Sequence, residues 1–196
     1  VYQRTRVIIA GADRGFRVAL KEVLRHAGYV VAGETGDGRS LLQQVFQHEP
    51  ELVVMEESLP GCEGMDVAGV IEEHRVAPVV LVVRAGRRSI PELLRSPGIY
   101  GVLTRPLEEE MVVPVLEAAL VSFNRIVALE KKLAELHRTL ETRKMVERAK
   151  GLLMEKYAMG ESEAYRYLQK LSMDRCQSLA RVAKEVVDSL GGRIKK

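Results

Sequence analysis

The residues of this chain whose types and spacing suit chemistry form two groups. In the stretch Glu141–Arg175, Lys144, Arg148 and Lys150 lie on one predicted helix, and Arg175 closes the run. Cations in that setting do non-covalent work: they attract phosphate or carboxylate. Residues 139–196 hold 13 Lys/Arg and 8 Asp/Glu, a balance of +5, which leaves −2 for residues 1–138 of the total of +3. A basic C-terminal part beside a mildly acidic N-terminal part points to a polyanionic partner. A solvated helical surface would have the same composition. The second group stands at the ends of apolar runs: Asp13, Glu56 and Arg105, with Arg84, Arg87 and Arg88 near them. The three arginines around Ala85-Gly86 could hold an anion, but the expected role is an exposed face that receives another chain.

Other chemistries find little support. His26, His48, His74 and His137 have no metal-ligand spacing, and no metal or cofactor is expected. Cys62 and Cys176 are far apart, so a disulfide framework is not expected and a cytoplasmic location is. The glycine-rich spots lack phosphate-loop spacing, no catalytic constellation appears, and an enzyme is not expected. No run of about 18 apolar residues is expected to span a membrane. The N-terminus runs into a strand-like segment without a signal-peptide pattern, and the missing initiator Met suggests a trimmed start.

The elements that must position these groups alternate in the first half. RVIIA (Arg6–Ala10), Tyr29–Gly33, Leu52–Met55, Val79–Val83 and Val102–Thr104 read as short strands. Between them, Phe16–Ala27, the face Leu41, Leu42, Val45 and Phe46 behind a possible N-cap at Asp37, and Val67, Val70 and Ile71 read as helices. Pro60-Gly61 marks a turn. Continuous apolar strands alternating with helices imply a parallel sheet covered on both faces. Five such units predict an α/β, flavodoxin-like, doubly wound five-stranded sheet whose sites lie at the C-terminal strand ends. From Leu107 the pattern is helical, with Pro114 early in it and a possible kink there. Ile126, Leu129, Leu133, Leu136 and Leu140 repeat at 3-4-3-4 spacing, a short heptad seam with Arg125 and Glu130 at g and e positions. That seam predicts a homodimer through a coiled-coil helix; the alternative is a helix packed on its own domain. A small three-helix bundle follows: Lys144–Tyr157, Glu161–Ser172 and about Ser178–Leu190, the last capped by Ser178. Its inward residues are predicted as Met145, Val146, Ala149, Leu152 and Leu153; Ala164, Tyr165, Leu168 and Leu171; and Leu179, Val182, Ala183 and Val186.

The first half resembles a CheY-like receiver domain over Arg6 to Leu120, through RVIIA, AGETGDG, ELVVMEESLPGCEG, APVVLVV and VLTRPL. Receivers take a phosphoryl group from a histidine kinase onto an Asp, using an acidic pair for Mg²⁺, a Ser/Thr and a Lys. The resemblance places the acidic pair on Gly11 and Ala12, with Asp13 adjacent. The acceptor falls on Glu56, the hydroxyl on Val83 and the Lys on Arg105. None of the five matches, and Gly11 and Ala12 offer Mg²⁺ no side-chain oxygen. The implied domain is a pseudo-receiver that does not take phosphate by the usual route. A Glu56–Arg105 contact through two parallel hydrogen bonds is expected to lock it. Control by a partner protein or small ligand, or an inert dimerisation scaffold, are the other readings.

The last part resembles the ANTAR module over Leu140 to Val187. The resemblance rests on Glu147-Arg148-Ala149-Lys150-Gly151-Leu152-Leu153-Met154, on Glu163-Ala164-Tyr165, and on Leu168 through Ser172-Met173 to Arg175. It implies a transcription antiterminator that binds stem-loops in nascent leader mRNA as a dimer. RNA loops expose unstacked bases. Lys144, Arg148 and Lys150 are then expected to reach phosphates, and Gly151 to allow close backbone approach. Gln169, Ser172 and Arg175 would read base edges or sugars, and Tyr165 and Met173 would offer an apolar platform. The resulting division is a receiver at 1–120, a coiled-coil linker at 121–140 and an RNA-binding domain at 141–196, with a ligand-sensing regulatory protein as a possible further partner. The alternatives are a DNA-binding regulator, for which Arg181, Lys184 and Glu185 on the third helix offer thin base readout, and a signalling scaffold that binds no nucleic acid.

Overall fold

A computed structural model describes residues 5–84, 86 and 89–191. The chain divides into two compact units, residues 1–128 and 129–196. In the first, β1 (Arg6–Ala10), β2 (Val30–Thr35), β3 (Leu52–Glu56), β6 (Val79–Arg84) and β7 (Ile99–Arg105) form one sheet in the order β2-β1-β3-β6-β7, parallel throughout. Side chains alternate across a strand, and that alternation sorts the core into two layers. Ile8, Val53, Met55, Leu81 and Val83 pack on one face with Leu41 and Val45 of α2 (Gly38–His48) and Val67, Ala68 and Ile71 of α3 (Gly64–Glu73). Val7, Ile9, Val54, Val80 and Val82 pack on the other with Phe16, Leu20 and Leu24 of α1 (Arg14–His26) and Val112, Leu116 and Ala119 of α5 (Glu109–Tyr157). The predicted doubly wound sheet is the observed fold.

Local chemistry sets the boundaries. Asp37 caps α2, accepting from the Ser40 N–H at 2.8 Å, which holds its carboxyl below the ordinary range. Asp13 caps α1 in the same way, accepting from Gly15 N at 2.9 Å, a role its sequence position did not reveal. Pro60-Gly61 turns a small hairpin of β4 (Ser58–Leu59) and β5 (Cys62–Glu63), with Gly61 at φ +82° where a β-carbon would be strained. A short helix, α4 (Ile90–Leu93), lies where no element was expected. Phe46 and Val70 are exposed rather than core, and Phe46 meets the His74 ring edge-on at a centroid distance of 5.0 Å.

The helix α5 continues through Pro114. Contrary to the composition-based expectation, it is long and apolar enough to cross a membrane; its residues Val112, Leu116, Ala119 and Phe123 are instead buried in the receiver core. In the second unit the C-terminal part of α5 packs with α6 (Glu161–Asp174) and α7 (Leu179–Gly191). Val146, Ala149, Leu153, Ala164, Leu168, Val182, Ala183, Val186 and Val187 are its buried core. Tyr165, predicted to face inward, is exposed, because its neighbours Ala164 and Leu168 define the buried stripe of α6. The α5–α6 turn takes its left-handed residue at Ala158 (φ 55°), and Glu163 accepts from the Gly160 N–H at 3.4 Å. Ser178 Oγ accepts from Arg181 N at 3.4 Å at the start of α7.

Candidate functional site

The C-terminal ends of β1, β3, β6 and β7 converge on a cavity of 210 Å³ lined by Ala12, Asp13, Glu56, Glu57, Ser58, Val82, Arg84 and Arg105. Glu56 ends β3 and Arg105 ends β7, and Arg105 Nη2 lies 2.6 Å from Glu56 Oε1. The two side chains are largely buried, at 14% and 21% exposure. The expected two-pronged clamp is not formed. The contact is one close ion pair, and Arg105 Nε and Nη2 have no well-aligned hydrogen bond. The guanidinium carbon also sits over the Phe16 ring, 3.8 Å from its centroid. That cation–π contact adds to the ion pair in holding the side chain.

The β1–α1 loop is held in a way the sequence did not signal. Arg17 Nη1 donates to Gly11 O at 2.6 Å and to Ala12 O at 3.3 Å. With those carbonyls engaged and Asp13 capping α1, the oxygens nearest the expected acidic pair already have partners. Gly11 is also sterically fixed: a β-carbon there would lie 2.5 Å from Phe16 Cδ1 and 2.7 Å from Glu56 Oε2. Any acidic side chain at that position would collide with the Phe16–Arg105–Glu56 stack.

Val83 does not stand in the pocket. It is buried on the α2–α3 face of the sheet, and its neighbours Val82 and Arg84 line the cavity instead; the two-residue period of the strand decides this. Arg84 pairs in register with Arg105, so two cations sit side by side at the ends of adjacent strands. Arg87 and Arg88 lie outside the described residues.

In the second unit the predicted contact residues divide. Arg148 and Gln169 are exposed, as is Met173. Lys144 is exposed and pairs with Glu141 at 2.9 Å. Gly151 faces open space, with no atom within 4 Å of a β-carbon built on it. A solvent-facing glycine inside a helix costs about 1 kcal/mol relative to alanine. Gly151→Ala is therefore expected to stabilise the helical unit by roughly that amount in urea melts, and to weaken binding of any ligand whose backbone approaches there.

Lys150 is the main correction. Expected to reach phosphate, it is buried, and its ammonium donates to Glu147 at 2.9 and 3.0 Å and to Glu161 at 2.8 Å. It ties α5 to the first residue of α6, because its position on α5 adjoins the buried Ala149 stripe. Glu161, then Glu147, hold its pKa above the ordinary 10.5. Lys150 in turn holds the Glu161 carboxyl below 4.5. A raised lysine stabilises the fold below its unfolded value and loses that contribution as pH rises past the folded one. A lowered glutamate stabilises above its unfolded value and loses that contribution as pH falls through the folded one. Melting temperature should therefore drop on acidification through and below about pH 4.5, and Glu161→Gln should flatten that limb. An unchanged acid limb in the variant would show that the pair contributes nothing.

Ser172 Oγ donates to Gln177 O at 2.5 Å, so the hydroxyl expected to read RNA is engaged in the turn after α6. Arg175 is half-exposed and pairs with Glu185 at 2.9 Å, a carboxylate also approached by Arg181 at 3.6 Å. The heptad residues are all exposed on α5: Ile126 38%, Leu129 58%, Leu133 55%, Leu136 62% and Leu140 52%.

A doubly wound five-stranded sheet with its cavity at the β1, β3, β6 and β7 ends is the architecture of receiver domains. A putative response regulator from Chloroflexus aurantiacus shares it, with a TM-score of 0.55 and 22% identity over 61% of this chain and 99% of that one. Residues 7–117 match the response regulator receiver domain, and residues 134–187 match the ANTAR domain. The chain belongs to the response-regulator family, with an ANTAR domain following its receiver. It is 39% identical to the transcriptional regulatory protein PdtaR of Mycobacterium tuberculosis over 95% of this chain and 91% of that protein. It is also 31% identical to the aliphatic amidase regulator of Pseudomonas aeruginosa over 45% of each.

Proposed function

We propose that this response regulator is a transcription antiterminator that binds stem-loops in nascent leader mRNA as a dimer, without aspartyl phosphorylation. The RNA reading follows from the ANTAR domain and from exposed cations beside the open Gly151. Arg148 and Arg175 are the phosphate and base contacts of this reading, with Lys144, Gln169 and Met173 beside them, and Lys150 and Ser172 position the helices. The receiver occupies residues 1–120, the coiled coil 121–140 and the RNA-binding domain 141–196.

One observation carries the phosphate independence. The Glu56–Arg105 pair, with Phe16 against the guanidinium, joins the strand ends where an acceptor Asp and a Lys are expected, and Gly11 leaves no room for a metal-binding carboxylate. Charge neutralisation between β3 and β7 is then built in rather than added by a kinase. The test is a gel shift with a two-stem-loop leader RNA and a duplex DNA of equal length, with and without acetyl phosphate and Mg²⁺. RNA binding alone, unchanged by the phosphodonor and with no added mass on the protein, is expected. Its affinity should fall steeply with salt. A phosphodonor that raises affinity, or duplex DNA bound as well as RNA, would overturn this reading.

A further inference from the structure

We infer that the ANTAR unit holds a pocket for a single unstacked nucleobase between α5, α6 and α7, an inference that rests on the RNA-binding reading. A cavity of 260 Å³ opens there, lined by Leu153, Tyr157, Tyr167, Leu171, Arg175 and Glu185 among others. It lies below the roughly 300–1,000 Å³ of small-molecule sites and suits one planar ring. Its floor is aliphatic, from Leu153, which is buried, and Leu171.

Tyr157 is the last residue of α5, and Tyr167 sits one turn before Leu171 on α6. Both rings are about half exposed, at 56% and 44%, and neither meets another aromatic ring among the described residues. Two large rings left open at one cavity are π-faces without an internal partner, and bases stack on such faces whatever their identity. The mouth adds polar recognition. Arg175 uses Nη1 on Glu185, and a guanidinium has five N–H donors, so others remain for a base edge. The Glu185 carboxylate can accept from an amino or imino group. Arg181, outside the lining, also approaches that carboxylate, at 3.6 Å.

The test uses the full chain and a pool of two-stem-loop RNAs with randomised loops, enriched for binding. Enriched RNAs should share a loop base whose replacement by an abasic nucleotide weakens binding roughly 5- to 150-fold, the range of one base–aromatic stack. The same replacement should cost nothing further in Tyr157→Leu/Tyr167→Leu. Tyr157→Leu alone, at the exposed end of α5, should show part of the effect should the double variant lose helicity. The salt slope of the tyrosine variants should match the parent, whereas Arg148→Gln should flatten it. Equal abasic penalties in parent and tyrosine variants would overturn the pocket while leaving RNA binding standing. Failure to enrich any RNA would overturn the RNA reading and the pocket with it.

Discussion

Leu133→Glu/Leu136→Glu is expected to leave a folded monomer that binds a two-stem-loop RNA about 10²- to 10⁴-fold more weakly than the parent. The stripe Ile126, Leu129, Leu133, Leu136 and Leu140 is exposed on one chain, and in the proposed dimer two copies would bury it in register. Each leucine removed from water contributes about 1.5–3 kcal/mol, so placing carboxylates at adjacent a/d layers removes that gain and sets like charges against each other across the seam. Neither residue touches the receiver core or the C-terminal bundle core, so helix content should stay near the parent's. The RNA effect is larger than the contact change because linked sites convert the second stem-loop into an intramolecular ligand. Sedimentation equilibrium reports the first outcome and gel shifts the second. A variant that remains dimeric would remove the seam as the interface. A monomeric variant with undiminished affinity for two stem-loops would remove the need for a dimer.

Arg105→Ala is expected to destabilise the receiver by about 2 kcal/mol in urea unfolding. It removes the 2.6 Å ion pair and the stack on Phe16 together. Breaking a fully buried pair costs about 3–5 kcal/mol; the residual exposure of both groups screens this one. Most of the loss comes from the carboxylate left behind, so Arg105→Ala/Glu56→Gln should recover part of it. In a double-mutant cycle the coupling should be clearly non-zero. Additive single effects would show that Glu56 and Arg105 act independently and would remove the lock. Glu56→Asp tests geometry: its carboxylate is one methylene shorter, so the close contact to Arg105 Nη2 should lengthen and stability should fall.

Much of this was legible in the chain. Continuous apolar runs such as Val79–Val83 call for burial on both faces, which points to a parallel sheet with two helical layers. The 3-4-3-4 leucine spacing defines a stripe whatever it meets. Asp37 signals its helix start because the cap and the helical pattern are adjacent in sequence. The absent Asp–Asp pair and hydroxyl are read directly from residue types. All of these depend on local periodicity or composition, which survive without coordinates.

What tertiary structure decided depends on which side chains meet. Strand parity sent Val83 into the core and put Val82 and Arg84 at the cavity, a difference of one residue that flips a face. Phe16 lies under the Arg105 guanidinium, which makes one close contact to Glu56 where two were expected. Lys150 looks like a phosphate-reaching cation in sequence, but its position on α5 brings it against Glu161, eleven residues on, and its charge is consumed there. Tyr157 and Tyr167 carry no sequence signal as a pair; the α5–α6 turn brings them to one cavity. The sequence by itself determined the two folded units, the exposed leucine stripe and the non-acidic, non-hydroxyl residues at the expected receiver positions, because these follow from residue type and period. Only the packed helices and sheet decided which charges are paired and which are open to a ligand, because pairing depends on distances that no one-dimensional spacing contains.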